Sequence, residues 1–573
     1  MSNGANSIHQ KLRAELENYI KSQYFGKSPL LLSAVNKKLD EEGLLYQKPY
    51  IESSPAYKSK MNGIQKANIP EWMKEFFKQL TDAHLGVYTA PFLHQIEALE
   101  AFVEGKDIFV ATGTGSGKTE CFMWPLLAKL AAEARGTVGD WEKRGVRTIV
   151  MYPMNALVSD QVSRLRKLIG DSEDKFTNIF RKICGENVRR PQFGMYTGRT
   201  PYPGSEPTIK QDRQLEKTLA RMTFLQNEKD KTFFDHLIKE GKIPAKKNMS
   251  EFLKKLHNGC HIPGDEDAEL ITRFEMQQVC PDILITNYSM LEYMLLRPRE
   301  KRIWDETKRW LQKNESNKLL FVIDEAHMYR GSAGGEVALL LRRLFYKLGI
   351  TRNQVQFILT TASMPDSNKE DRKKVLNFVK DLTASEDISD FCYLTGETEV
   401  IEGKQKYDIP FSKIRYCSPT DFEGEESIRL KAFNNFWSGL PGVPEKFKTL
   451  NDVQQWMYHN LIFYKPFYKL LEQCRGKARS LTELADEIFP EQSNEDALLG
   501  ISILLAIAPF AKDDKGAILF PARMHMLFRG IHGVFACTNE KCRHSHTDGN
   551  LTLGEIYLSD GKLVCPYLSL IHI

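Results

Sequence analysis

A chain of 573 residues is too long for one ordinary core, so several domains, or one domain carrying large insertions, are expected. Lys and Arg number 79 against 74 Asp and Glu, and the resulting net charge of +5 permits a nucleic-acid partner through a local basic strip without demanding one. The start, Met1-Ser-Asn-Gly-Ala-Asn, has neither the basic residues nor the apolar stretch of a signal peptide, and no later apolar run spans a bilayer, so a cytoplasmic location with no membrane partner is expected.

Residues 1–84 alternate helical apolar patterning with Lys-rich stretches, as in Trp72-Met-Lys-Glu-Phe-Phe-Lys-Gln-Leu80, and read as a helical N-terminal extension. From Leu85 the pattern changes to short β-rich runs, each followed by a helical segment: Asp107-Ile-Phe-Val-Ala, Arg147-Thr-Ile-Val-Met-Tyr, Asp282-Ile-Leu-Ile-Thr, Lys318-Leu-Leu-Phe-Val-Ile-Asp and Gln356-Phe-Ile-Leu-Thr-Thr. That alternation predicts an α/β domain over 85–370 with a parallel sheet and crossover helices. Charged helical sequence over about 201–267 reads as an insertion. Beyond it, 371–530 reads as a mixed module: Tyr393 to Ile409 is β-rich, and Ala432 to Met526 is mainly amphipathic helix. Seven of the 10 cysteines are scattered, as buried thiols in a reducing compartment would be.

Two motifs carry chemistry. Gly113-Thr114-Gly115-Ser116-Gly117-Lys118-Thr119 ends the first β-run and opens an apolar helix, the setting in which a glycine-rich loop turns backbone N–H groups onto phosphate oxygens at a helix N-terminus. Lys118 would reach the β- and γ-phosphates of ATP, and Thr119 would ligate Mg2+. Asp324-Glu325-Ala-His327 follows the apolar run Leu319 to Ile323, which places both carboxylates at the C-terminal edge of a buried strand. Asp324 can hold Mg2+ through water, and Glu325 can orient and deprotonate the attacking water.

At these motifs the chain resembles the DEAD/DEAH-box class of superfamily-2 helicases, and further matches follow in that class's order. The resemblance implies a RecA-like lobe, a P-loop NTPase fold. It implies adenine recognition by Gln95, within Phe92-Leu-His-Gln95, beside the loop residues Thr114 to Thr119. It implies that Pro153, Asn155 and Gln161 lie along a strand's phosphates, and that Thr197, Gly198 and Arg199, then Thr286 and Asn287, meet the sugar-phosphate backbone. Thr361-Ala-Ser363 resembles the Ser-Ala-Thr motif with its hydroxyls exchanged, and Thr361 and Ser363 could offer both to His327, coupling hydrolysis to strand separation. The wording Tyr-Pro-Met-Asn-Ala-Leu and Asp-Glu-Ala-His is most similar to large bacterial helicases of the Lhr and YprA kind, a group with DNA-repair and phage-defence members. An ATP-dependent helicase or translocase acting on DNA, with RNA as the lesser substrate, is the function implied. Two alternatives are a duplex-binding remodeller and a scaffold subunit that does not unwind.

A motor of this class needs a second lobe with arginines in a Gln-x-x-Gly-Arg-x-x-Arg stretch, and that pattern is absent from the chain. Either the second lobe has diverged within 370–530 or it lies elsewhere, in which case this chain alone has little activity. Over 531–567, Cys537, Cys542 and Cys565 resemble three members of a four-cysteine Zn2+ knuckle, with free thiols as the alternative. The fourth cysteine is expected after Tyr567, where the chain reads Leu568-Ser-Leu-Ile-His-Ile573. One frame of a transposon-end sequencing adapter translates to those six residues, so 568–573 is expected to be an artefact outside the fold.

Overall fold

The computed structural model describes residues 5–26, 32, 35–36, 38–39, 43–54, 57–113, 115–136, 140–202, 208–223, 228–362, 369–386, 391–398, 405–514, 516–531, 533, 535–537, 542, 546–548 and 551–558. Its contacts divide the chain into two compact units, Tyr57–Thr398 and Met1–Ala56 with Glu399–Ile573.

The unit Tyr57–Thr398 is built on eight strands: β1 Asp107–Ala111, β2 Thr148–Tyr152, β3 Phe193–Tyr196, β4 Glu269–Leu270, β5 Ile283–Asn287, β6 Leu319–Ile323, β7 Val355–Thr361 and β8 Phe391–Leu394. They pair in the order β4-β3-β5-β2-β6-β7-β1-β8, every pairing parallel. The central strands β2 and β6 are buried along their whole length, which is why they read as unbroken apolar runs rather than alternating ones. Helices cover both faces in two apolar layers, one around Phe76, Phe77, Trp124 and Leu127, the other around Leu291, Trp304, Leu341 and Phe357. This is the α/β architecture with a parallel sheet and crossover helices that the alternation predicts.

The unit is wider than 85–370. On the N-terminal side, the helix Glu71–Asp82 buries Met73, Phe76, Phe77 and Leu80 in the sheet's own core, so these residues belong to the lobe rather than to a separate extension. On the C-terminal side, β8 pairs with β1 and ends the sheet. The insertion carries the helices Ile209–Thr223, Glu228–Lys239 and Met249–His257. Its root is held by Tyr202, whose hydroxyl donates to Asp212, with His261 3.2 Å from the same carboxylate.

The other unit is mainly helical. The helices Glu426–Trp437, Leu450–Asn460, Lys465–Cys474, Leu481–Ile488 and Asn494–Ile507 bury Phe433, Trp437, Phe467 and Leu504. Two of them start at capping boxes legible in the chain, Thr449 with Asp452 and Ser480 with Glu483. Its sheets are small and antiparallel: Tyr50–Ser53 between Arg479–Ser480 and Ala522–His525, and two ribbons near the C-terminus. Among the described residues there is therefore one parallel sheet, and 405–514 hold no diverged second lobe. Among them also, no helix is long and apolar enough to cross a membrane.

Candidate nucleotide and strand site

The phosphate loop leaves β1 at Ala111 and enters the helix Glu120–Ala134. Gly115 and Gly117 take φ of +82° and +71°, values that side-chain-bearing residues rarely adopt, so the glycine spacing is a backbone requirement. The loop is braced from behind. Gln95 is buried, accepts from the Phe92 N–H at 2.9 Å and donates to the Gly117 carbonyl at 3.1 Å. A β-carbon at Gly117 would lie 2.2 Å from the Gln95 amide nitrogen. His94 Nε2 lies 2.8 Å from the Ser116 carbonyl, the Thr112 and Ser116 hydroxyls are 2.6 Å apart, and the Gly113 N–H donates to Tyr57 Oη at 3.0 Å. Thr119 opens the helix, half-buried. Thr114 lies outside the described residues. A cleft of about 990 Å³ borders the loop, lined by Tyr88, Phe92, Gln95, Gly117, Thr119 and Arg164 among others.

Asp324 emerges from the end of β6, and its Oδ1 accepts from the Thr360 hydroxyl on the neighbouring β7. Glu325 sits in the left-handed region at φ +52°, an unusual conformation for a side-chain-bearing residue. It turns its carboxylate between Lys118 Nζ, 3.6 Å from Oε1, and His327 Nδ1, 3.2 Å from Oε2. His327 Nδ1 also lies 3.2 Å from the Thr361 hydroxyl, and the Thr361 carbonyl accepts from the Thr112 N–H. A continuous polar chain thus joins the loop, the acid pair and β7. Ser363 lies outside the described residues.

The donor set fits a Mg2+-bound nucleotide. Lys118 Nζ is buried with no hydrogen-bond partner, and burial holds its pKa below the usual lysine range although Glu325 and Asp324 pull it back up. Burial likewise raises the Asp324 pKa, against the Thr360 hydrogen bond and with Glu325 adding repulsion. A buried ammonium without a hydrogen bond, facing two crowded carboxylates, is the arrangement that phosphate oxygens and a divalent cation would neutralise together.

The residues expected to meet a strand fall into two groups. Asn155 and Asn287 come together across β2 and β5, the Asn287 amide donating to Asn155 Oδ1 at 2.6 Å while Asn287 Oδ1 caps the helix Tyr288–Leu296. Pro153 is partly exposed beside them, and Gly198 and Arg199 are exposed. Thr197 and Thr286 are instead fully buried. The Thr286 hydroxyl donates to the Tyr196 carbonyl at 2.7 Å, and Thr197 Oγ1 accepts from the Arg199 N–H at 3.2 Å, so both shape the turn that carries Arg199. Gln161 is not on this surface: it sits on the inner face of the helix Asn155–Leu168 with Val158, Val162 and Leu165, 7% exposed, and its position in the helical period turns it inward.

Three residues of the site carry no motif in the chain: Tyr57, His94 and Thr360. Only His94 could have been flagged, as the neighbour of Gln95. In the other unit, Cys537 and Cys542 are buried against each other, and a β-carbon on Gly554 would meet both of theirs within 2.8 Å. No cluster of three potential metal ligands occurs among the described residues, and Cys565 and 568–573 lie outside them.

The family model described as DEAD/DEAH box helicase matches residues 92–198 and 243–371, so it covers both chemical motifs and skips most of the insertion. The Druantia protein DruE of Escherichia coli (strain UMEA 4076-1) is 34% identical over 590 residues, covering 97% of this chain and 31% of that protein. The ATP-dependent helicase SGS1 of Saccharomyces cerevisiae is 34% identical over 111 residues, 19% of this chain and 7% of that protein. Among solved structures, the crystal structure of the DUF1998 helicase MrfA bound to DNA aligns at 17% identity over 64% of this chain and 34% of that chain, with a TM-score of 0.32. The chain spans about a third of the length of DruE.

Proposed function

We propose, on the premise that residues 92–198 and 243–371 form a DEAD/DEAH box helicase domain, that this chain supplies the ATP-binding lobe of a motor that moves along DNA in preference to RNA. One observation carries the reading: the buried, hydrogen-bond-free Lys118 ammonium lies 3.6 Å from Glu325, in a loop whose Gly115 and Gly117 take the positive φ of a phosphate-binding turn. Lys118 would neutralise the terminal phosphates of ATP. Thr119 and Asp324 would hold Mg2+, which supplies charge neutralisation on the phosphate oxygens when bound. Glu325 would orient the attacking water and take its proton, while His327 and Thr361 report the state of that carboxylate to β7. Asn155, Asn287 and Arg199 would meet strand phosphates, a contact insensitive to base sequence and weakened by salt.

The arginine that completes hydrolysis in such motors acts across the nucleotide and can raise turnover by roughly 10³ to 10⁵-fold. The described residues hold a single parallel sheet, and the reading takes that group from a second lobe outside them. The test compares ATP hydrolysis by this chain with hydrolysis by a longer protein that includes the downstream sequence, each with and without single-stranded DNA or RNA. Slow hydrolysis by the chain and DNA-stimulated hydrolysis by the longer protein are expected. A longer protein whose hydrolysis ignores both nucleic acids would favour the scaffold instead.

The same reading takes Cys537 and Cys542, with Cys565, as ligands of a structural Zn2+. Their burial together over Gly554 supports it, since a glycine there lets the two thiols approach one point. Elemental analysis should find about one zinc per chain, and Cys537→Ser should remove it; zinc-free protein would end this assignment.

A further inference from the structure

Past the strand motifs lies a set of arginines that the nucleotide chemistry does not use. The helix Tyr288–Leu296 ends at Arg297, and the short turn Pro298–Glu300 leads into the helix Lys301–Lys313. Glu300 is 1% exposed, and its Oε1 accepts from the Tyr196 hydroxyl at 2.6 Å. Tyr196 ends β3 and immediately precedes the Thr197-Gly198-Arg199 turn, so this bond fixes Arg297 and Arg299 beside that turn. Arg273 closes the arrangement: it donates to the Thr197 carbonyl at 2.8 Å and stacks over the Tyr196 ring at 5.2 Å.

Charge is poorly balanced here. Elsewhere in the unit many arginines are paired, as Arg166 with Glu269 at 2.7 Å or Arg302 with Glu306 at 2.9 Å. Among the described residues no acidic side chain pairs with Arg199, Arg297 or Arg299, and Arg199 and Arg299 are exposed. Glu300 offsets one charge, and its Oε1 is already engaged. Burial lowers the Arg273 pKa, and the charges of Arg297 and Arg299 lower it further, so all three lie within electrostatic reach of one another. An aromatic surface adjoins the charges: Tyr293 is 51% exposed, with the Arg297 guanidinium 4.9 Å from its ring centre.

We propose that Arg297 and Arg299 extend the strand path beyond the Arg199 turn by binding further phosphates of the same nucleic acid, with Tyr293 as a stacking platform for a base. The proposal rests on the reading of this lobe as strand-binding. A nucleic acid fits the patch better than an acidic protein because guanidinium groups beside an open aromatic ring match alternating phosphates and bases, and because the patch is bonded through Tyr196 to the turn already assigned to the strand.

The test is fluorescence anisotropy of this chain with a labelled oligothymidylate, titrated with salt. Two single-strand phosphate contacts contribute about 1.4 to the slope of log affinity against log salt. The R297Q/R299Q variant should therefore lose about that much slope and roughly tenfold in affinity near 0.1 M salt. R297K/R299K should keep most of the slope, and Tyr293→Ala should weaken binding with the slope unchanged. Thermal melting of the glutamine variant should stay close to the parent, since Arg299 is exposed, Arg297 is half-buried and neither pairs with an acidic side chain among the described residues. A glutamine variant with the parent's affinity and slope would overturn the proposal while leaving the lobe's strand-binding role standing. A parent chain that does not bind the oligonucleotide would overturn both.

Discussion

Glu325→Gln is expected to lower strand-stimulated ATP turnover by roughly 10² to 10⁴-fold, the usual worth of a positioned general base, while nucleotide affinity changes little. The argument starts from backbone geometry. Glu325 occupies φ +52° and ψ +47°, a conformation that costs a residue with a side chain about 1–3 kcal/mol and persists only where its surroundings enforce it. What the conformation achieves is direction: the carboxylate leaves the sheet edge between Lys118 and His327 rather than folding back along β6. Glutamine keeps the shape and one acceptor oxygen but cannot take a proton from water. Lys118→Ala should behave differently, because it removes the buried ammonium that faces Glu325 at the phosphate loop, and binding should fall together with turnover. Phosphate release and titration with a fluorescent nucleotide separate the two cases. A glutamine variant that hydrolyses ATP at the parent's rate would remove Glu325 from the chemistry.

The contrast between what could and could not be read in the chain follows from the range of the interactions involved. The phosphate loop and the Asp324-Glu325 pair were legible because each is a local pattern, an apolar strand followed by a residue type that its C-terminal edge demands. The Thr361 contact to His327 followed from the resemblance. Thr360 was missed because neighbouring residues on a strand point to opposite faces, and only the register, Ile323 opposite Leu359, sets Thr360 beside Asp324 and leaves Thr361 opposite Ala111. Tyr57 is 56 positions from the glycine it braces, and Glu300 is 104 from Tyr196; no local pattern announces contacts at such separations. The same limit explains the lobe's boundaries. β8 is a four-residue strand without a motif, and its place beside β1 depends on a pairing that periodicity does not reveal. Gln161 shows the reverse case, in which a resemblance suggested a surface role and the helical period, readable in Val158, Val162 and Leu165, turned it inward.

The largest effect on stability should come from a residue with no part in the chemistry. Asp282 stands just before β5, fully buried, where Arg189 grips it through two hydrogen bonds of 2.7 Å, Arg147 donates at 2.8 Å and the Gln192 N–H at 3.0 Å. Arg147 is itself 0% exposed, and both guanidiniums stack on Trp141, at 4.6 and 4.4 Å from its ring centre. Removing the carboxylate would leave the buried Arg189 without its counter-ion and the buried Arg147 with Glu133 alone, both around one indole. Breaking a buried pair in this way costs about 3–5 kcal/mol, so Asp282→Ala should lower the urea midpoint by an amount corresponding to a loss in that range. The pH dependence gives an independent check. Burial alone would raise the Asp282 pKa, but Arg189 and Arg147 outweigh it and hold the group at about 2, below its ordinary value of 3.8. A carboxyl whose pKa is depressed by folding contributes stability that is complete above its unfolded pKa and is lost as the pH falls through the folded one. The parent should therefore lose this share of its stability between about pH 4 and pH 2, and the difference between parent and Asp282→Ala should shrink across the same window. A difference that stays constant down to pH 2 would show that the arginines draw their compensation from Glu133 and the surrounding carbonyls rather than from Asp282.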